Sequence, residues 1–325
     1  MISRVLIIGT GSAGRKHFSI VKKILPFSEI KFFSTRNKTY LTNLSQIKSF
    51  NPDLAILANP SSKRLKIIKF LSKIKTKILI EKPLASNFNQ AFKVYKILKK
   101  NKIKSKVGYN LRFYKPLQII KKIVRSNKLG KINFIRAEVG SYLPNWRNVN
   151  YKHTVSSSKL LGGGVLNELS HEIDYLQWMF GNFLSVFCNI QKRSKLDINV
   201  EDTANIIFLL KNKTPISLSV DFCRRDKIRS CYISGEKSSI KLNLLSGIIE
   251  IYNIKKKKWQ ILKQYKKSIQ YTYYSQLINF ISNGHIKNKK KTKDVSADLA
   301  SALRVAKVIK CAKISSKTKK LISIK

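Results

Sequence analysis

In residues 7–17, IIGTGSAGRKH, three glycines fall as G-x-G-x-x-G at Gly9, Gly11 and Gly14. The pattern means little alone. Here it follows the apolar run VLII (5–8) and opens a stretch suited to a helix, the context that predicts a dinucleotide-binding turn. Gly9 would permit the tight turn, Gly11 the approach of backbone to a pyrophosphate, and Gly14 close packing of helix on strand. The helix is expected from about Ala13, so Gly11, Ser12 and Ala13 lie at its start, where unpaired N–H groups and the positive dipole end would attract phosphate oxygens.

Working outward, short apolar runs alternate with amphipathic stretches. Strands are expected at 29–35, 53–59, 77–83 and 104–110, and helices at 13–25, 62–74 and 87–101. Strands separated by helices imply a parallel sheet with helices on both faces. After residue 125 the rhythm changes to strands in succession, at 131–142, 183–193, 203–210, 215–222 and 228–235. One helix interrupts them at about 164–180, and another, at about 298–313, follows them. The fold class read from this is α/β. An N-terminal Rossmann doubly wound parallel sheet spans 1–120, and an α+β domain with a mostly antiparallel open sheet spans 121–325.

The end of the second strand bears on the type of dinucleotide. An acidic residue there would accept from the ribose 2′-hydroxyl of NAD, whereas an arginine favours the 2′-phosphate of NADP. The sequence has Ser34, Thr35 and Arg36 with no acid, so NADP is favoured over NAD. At the carboxyl end of the fourth strand stands Glu81-Lys82-Pro83. A lysine there could stabilise negative charge on a substrate oxygen, although by composition it is one lysine among dozens.

Residues 162–174, GGGVLNELSHEID, hold one of four histidines. Treated as part of one continuous helix, Leu166, Leu169, Ile173, Leu176 and Phe180 form an apolar seam, and Asn167, His171, Asp174 and Trp178 a polar stripe nearly opposite. Histidine is the side chain that ordinarily titrates near neutrality, so a histidine at 171 could accept a proton from a hydroxyl. Glu168 and Asp174, each three residues away, could raise its basicity or fix its tautomer. The same stripe equally suits a solvated helix face.

Lys plus Arg number 66 against 16 Asp plus Glu, a formal +50. An anionic partner is one reading. The lysines are spread along the chain, and the densest runs, KKKK (255–258) and IKNKKKTK (286–293), look like a hairpin tip and a surface loop. Compositional bias with a modest attraction for phosphorylated ligands is therefore preferred to specific nucleic-acid binding. No apolar run approaches the roughly 20 residues of a membrane span, and no signal peptide is read at the N-terminus. Cys188, Cys223, Cys231 and Cys311 are scattered, with no CxxC pair and no histidine at metal-ligand spacing, so no metal site is expected. Four buried thiols in a reducing cytoplasm are expected instead.

With GTGSAG, EKP and GGGVLNELSHEID in that order, the chain resembles the Gfo/Idh/MocA family of sugar oxidoreductases. LAILANP (54–60), VGYNLRFYKP (107–116), LGKI (129–132) and the final helix also fit. The resemblance implies an NAD(P)-dependent sugar dehydrogenase or reductase that forms a homodimer or homotetramer through the open sheet of its second domain. It implies that Lys82 lies near nicotinamide and substrate, and that His171 is catalytic. Asn59 and Pro60 would line the nicotinamide side beside Glu81, with Asn110 and Arg112 at the junction of cofactor and substrate. The family often has aspartate where this chain has Asn167, which can orient a hydroxyl but cannot act as a base; Glu168 stands beside it. It often has histidine where this chain has Arg64. Residues 142–156, YLPNWRNVNYKHTVS, look like the branch found in nonulosonic-acid and surface-sugar pathways. In that reading Trp146 borders the sugar, Tyr151 and Asp174 contact it, and Arg147 and Lys152 meet carboxylate or phosphate oxygens. The sugar would be free, phosphorylated, amino-substituted or nucleotide-activated. A catalytically inactive cofactor-binding protein of the same fold is the alternative.

Overall fold

The computed structural model describes residues 2–35, 38–282 and 294–324, so Arg36 and the lysine run at 286–293 lie outside the described residues. The chain forms two compact units. The first comprises Met1–Asn110, Leu160–Gly162 and Thr272–Ala306; the second comprises Leu111–Lys159, Gly163–Tyr271 and Lys307–Lys325. The units interleave in sequence, where two contiguous spans meeting at residue 120 are expected.

In the first unit the order is β1 (Arg4–Ile8), α1 (Ser12–Ile24), β2 (Glu29–Phe33), α2 (Leu44–Phe50), β3 (Leu54–Leu57), α3 (Arg64–Lys73), β4 (Lys77–Ile80), α4 (Phe88–Lys100) and β5 (Ser105–Val107). The strands form a parallel sheet in the order β2-β1-β3-β4-β5. Every residue of β3 is fully buried, as expected of a strand covered on both faces. The strand order reverses between β1 and β3, so the crevice for a ligand lies beyond their carboxyl ends. Gly9 and Asn59 stand there side by side: a Cβ on Gly9 would come within 2.8 Å of the Asn59 nitrogen.

The sequence pattern misses α2, which is short but closed at its start by a reciprocal capping box between Asn43 and Gln46. The late segment belongs to this unit for a physical reason. Leu277 and Phe280, from a helix described below, join Val5, Ile7, Leu54 and Ile56 in one apolar cluster. Ala297 forms an antiparallel bridge to Val107, on the edge strand β5.

The second unit begins with α5 (Lys115–Arg125) and β6 (Ile132–Gly140), then α6 (Val165–Glu168) and α7 (His171–Phe180). The strands β7 (Phe183–Gln191), β8 (Thr203–Leu210), β9 (Pro215–Asp221), β10 (Ile228–Gly235), β11 (Ser239–Asn243), β12 (Ile248–Asn253) and β13 (Lys258–Gln264) follow. Next come α8 (Tyr271–Ile281), nearly all in the first unit, α9 (Leu299–Thr318), which runs from the first unit into the second, and β14 (Ile322–Ser323). The sheet order is β13-β12-β11-β10-β6-β9-β8-β7-β14, antiparallel except where β6 pairs with β9. Burial alternates along β8: Ala204, Ile206 and Phe208 point inward, and Asn205 and Ile207 outward. The KKKK run lies at the β12–β13 hairpin, as its composition suggests.

One expectation is corrected here. The continuous helix read at 164–180 is broken at Leu169–Ser170, so Asn167 and His171 lie on two different helices. The Ser170 hydroxyl donates to the Asn167 carbonyl at 2.9 Å, a local bond that competes with the helical ladder. Nor is α7 a solvated amphipathic helix. His171 through Leu176 are all buried, and the polar stripe survives burial through the ion pairs described below. No helix of the described residues is long and apolar enough to cross a membrane.

The close packing of α1 on its turn has a measurable consequence. A Cβ on Gly14 would lie 2.0 Å from the Gly9 carbonyl oxygen, whereas one on Gly11 would meet nothing within 4 Å. Gly14→Ala should therefore cost about 1–3 kcal/mol in urea unfolding. Gly11→Ala should stay within about 0.5 kcal/mol of wild type, as a surface substitution does.

Candidate active site

The cofactor half is built by the first unit. Gly11 is the N-cap of α1 and makes no side-chain cap, so the first-turn N–H groups of Ser12, Ala13 and Gly14 remain for an anion. The open space over Gly11 suits the close approach of a pyrophosphate. After β2, the Ser34 N–H donates to the Leu41 carbonyl, and Thr35 is exposed. Neither Ser34 nor Thr35 offers the carboxylate that a ribose 2′-hydroxyl would use.

Two further carboxyl-end turns are tied together. Asn59 and Pro60 follow β3, and Glu81, Lys82 and Pro83 follow β4. The buried Arg64 guanidinium donates to the Asn59 carbonyl at 3.2 and 2.9 Å, and also to the carbonyls of Glu81 and Pro83. Below them, the buried Glu81 carboxylate lies 2.6 Å from His17 Nε2 on α1. Burial opposes ionisation of Glu81. The His17 hydrogen bond and charge, with Lys82 and Arg64, outweigh it and hold the carboxyl below its ordinary range. Asn110 donates to the Thr272 hydroxyl at 2.6 Å. The Oδ1 atoms of Asn59 and Asn110 are buried and accept no hydrogen bond among the described residues. A nicotinamide carboxamide or ribose hydroxyl donates hydrogen bonds that such acceptors can take, so the residues present fit a dinucleotide.

The second unit holds the residues expected at the substrate. His171 opens α7, and its neighbours on that first turn are braced. Asp174 accepts from Arg112 Nε and Nη2 at 2.8 and 2.7 Å, and Glu172 accepts from Arg229 Nε and Nη2 at 2.7 and 3.1 Å. All four side chains are largely or wholly removed from water. Arg112 and Asp174, expected as substrate contacts, thus form a two-pronged pair with each other that anchors the helix. Glu168, expected to support His171, accepts from Ser156 Oγ at 2.7 Å and lies 3.7 Å from Arg147. Asn167 donates to the Gly163 carbonyl at 3.3 Å. Gly164 is required where it stands: its φ is +101°, and a Cβ would strike the Glu201 carboxylate at 2.5 Å.

The crossover loop also takes shape. Trp146 donates to the Ser141 carbonyl at 3.1 Å and meets Phe222 edge-on at 5.0 Å. Arg147 donates to Ser156 Oγ at 3.2 Å. The Tyr151 hydroxyl accepts from the Asp197 N–H, and Lys152 forms an exposed pair with the Asp197 carboxylate at 2.9 Å. Such exposed pairs are weak and leave the ammonium exchangeable to another anion. Cys188 and Cys231 are pushed up to about 12 by burial, with Glu201 and Glu172 adding to it respectively, and so are neutral packing groups. Cys311 is also buried, while Cys223, expected buried, is half-buried.

His17, Glu172 and Arg229 escaped the sequence reading. His17 carried a usable signal, since it lies one turn after Gly14 on the buried side of α1. Glu172 and Arg229 are 57 residues apart, and no local pattern joins them.

Residues 3–109 match the model of an oxidoreductase family with an NAD-binding Rossmann fold, and residues 117–241 match the GFO/IDH/MocA C-terminal domain. An uncharacterized oxidoreductase of Synechocystis is 27% identical over 180 residues, 51% of this chain and 47% of that protein. Glucose-6-phosphate 3-dehydrogenase of Bacillus subtilis is 20% identical over 273 residues, 78% and 77% of the two chains. For several of the curated relatives the chain spans only about half of their length. Among solved structures, the WlbA dehydrogenase of Bordetella pertussis in complex with NADH and UDP-GlcNAcA shares the fold, with a TM-score of 0.79 at 18% identity over 99% of both chains.

Two measurements test the buried charges. Arg229→Met strands Glu172 and should cost about 3–5 kcal/mol in denaturant unfolding, much of it recovered by adding Glu172→Leu. The Glu81 carboxyl titrates below its ordinary 4.5 in the folded protein, so its contribution is complete above that value and lost as pH falls through the folded value. The stability gap between wild type and Glu81→Gln should therefore be constant near neutrality and close only in acid below pH 4.5.

Proposed function

This chain belongs to the GFO/IDH/MocA family of oxidoreductases, and we propose that it is a cytoplasmic NAD(P)-dependent enzyme acting on a secondary alcohol or ketone of a sugar derivative. One observation carries the reading. In the unit that offers a glycine turn to a pyrophosphate, Lys82 follows β4 with the carbonyls on both its sides held by one buried guanidinium. A bound nicotinamide would accept or supply the hydride. In the oxidative direction His171 takes the hydroxyl proton as the carbon–hydrogen bond breaks, and Lys82 stabilises the oxygen that becomes a carbonyl. Asn167, Glu168 and the crossover loop with Trp146, Arg147, Tyr151 and Lys152 orient the sugar. Arg112 and Asp174 act by bracing α7.

The absence of an acid at Ser34 and Thr35 favours NADP, with Arg36 as the reader of the 2′-phosphate. A sugar carrying phosphate or a nucleotide suits the surplus of positive charge. Relatives named for glucose 6-phosphate and bound to UDP-GlcNAcA support that class, and surface-polysaccharide or nonulosonic-acid synthesis is the setting we favour. The outward face of the open sheet exposes Phe187 and Ile207, which suits association into a dimer or tetramer. Asn167, unable to serve as a base, is what favours the alternative, a cofactor-binding protein without turnover.

Fluorescence titration with NADPH and NADH should give saturable binding, tighter for NADPH. Turnover on a panel of free, phosphorylated and nucleotide-linked sugars should then fall by about 10²–10⁴-fold in His171→Ala, with cofactor binding retained. Retained turnover would move the base to Lys82 or Glu168. Tight binding with no turnover on any sugar would favour the alternative.

A further inference from the structure

Arg64 is 3% exposed, an unusual place for a guanidinium, whose burial costs several kcal/mol unless its donors are met. What meets them is main chain. The same planar fork reaches the carbonyl of Asn59, after β3, and the carbonyls of Glu81 and Pro83, after β4. Those last two residues flank Lys82. Beneath the fork, the Glu81 carboxylate balances the charge and is itself gripped by His17. A Cβ on Gly108 would come within 3.0 Å of the other Glu81 oxygen, so the carboxylate also abuts the turn after β5.

Resting on the function proposed above, we infer that Arg64 is a positioning residue for Lys82: it fixes the backbone on both sides of that lysine and ties it to the Asn59 turn. A lysine side chain has four rotatable carbons, and its head is directed only as well as its own backbone is held. A lysine or histidine at position 64 could satisfy one or two carbonyls, but not three on two turns, because neither has five donors in a rigid plane.

The test uses NADH as probe and needs no sugar substrate. Lysines of the full-length protein are acylated with acetic anhydride, with and without saturating NADH, and the Lys82 rate is read by peptide mass spectrometry. In wild type, NADH should slow acylation of Lys82 by about tenfold while exposed lysines are unaffected. In Arg64→Gln, NADH should bind within about threefold of wild type, because the α1 turn is untouched, yet protect Lys82 by less than about twofold. Arg64→Lys should give intermediate protection, and it decides the matter if the Gln variant does not fold. Undiminished protection in the folded variant overturns the inference. Wild type that binds no NADH, or binds it without protecting Lys82, instead overturns the reading of the site on which the inference rests.

Discussion

The Glu81 carboxylate cannot remain charged inside the first unit without partners, and the partners it has determine how that unit is put together. His17 comes from α1, the helix that opens at the glycine turn; Arg64 comes from α3; Lys82 is the next residue in the chain. Turns after β1, β3 and β4 thus answer to one buried negative charge. Because an unpaired ion in that interior would cost several kcal/mol, none of these turns can drift independently. The glycine turn and Lys82 are held in mutual register by electrostatics, with the apolar sheet supplying only the platform.

The second unit repeats the principle with different residues. Helix α7 is short and buried on most of its surface, which would ordinarily select apolar side chains all round. It carries His171, Glu172 and Asp174 on its first turn all the same, because Arg229 and Arg112 each present two donors to one carboxylate. Two-pronged pairs of this kind restrict rotation as well as translation. The helix start is thereby fixed at His171.

What was legible in the sequence was local. The glycine turn, Lys82 at a strand end and the alternation of strands with helices all depend on neighbours within a few residues, and each stands where the pattern puts it. The helix break at Ser170 was hidden because a serine hydroxyl bonding the Asn167 carbonyl leaves no trace in hydrophobic periodicity. The partnership of Arg112 and Asp174 spans 62 positions, so sequence alone presented each as a separate contact for substrate. α8 was missed for a related reason. Its buried face carries Thr272, Gln276 and Asn279 beside Leu277 and Phe280, which blurs the apolar stripe.

The return of residues 272–306 to the first unit also sets an order of events in time. During synthesis, the first 110 residues emerge with Leu277 and Phe280 absent from their core and Ala297 absent from the edge of β5. At roughly 5–20 residues per second, about eight to thirty-two seconds separate the emergence of Asn110 from that of Thr272. For that interval the nascent sheet has an open edge and an uncovered apolar patch, features that invite chaperone capture. The segment that finishes the first unit is therefore also the one that ends its exposure on the ribosome.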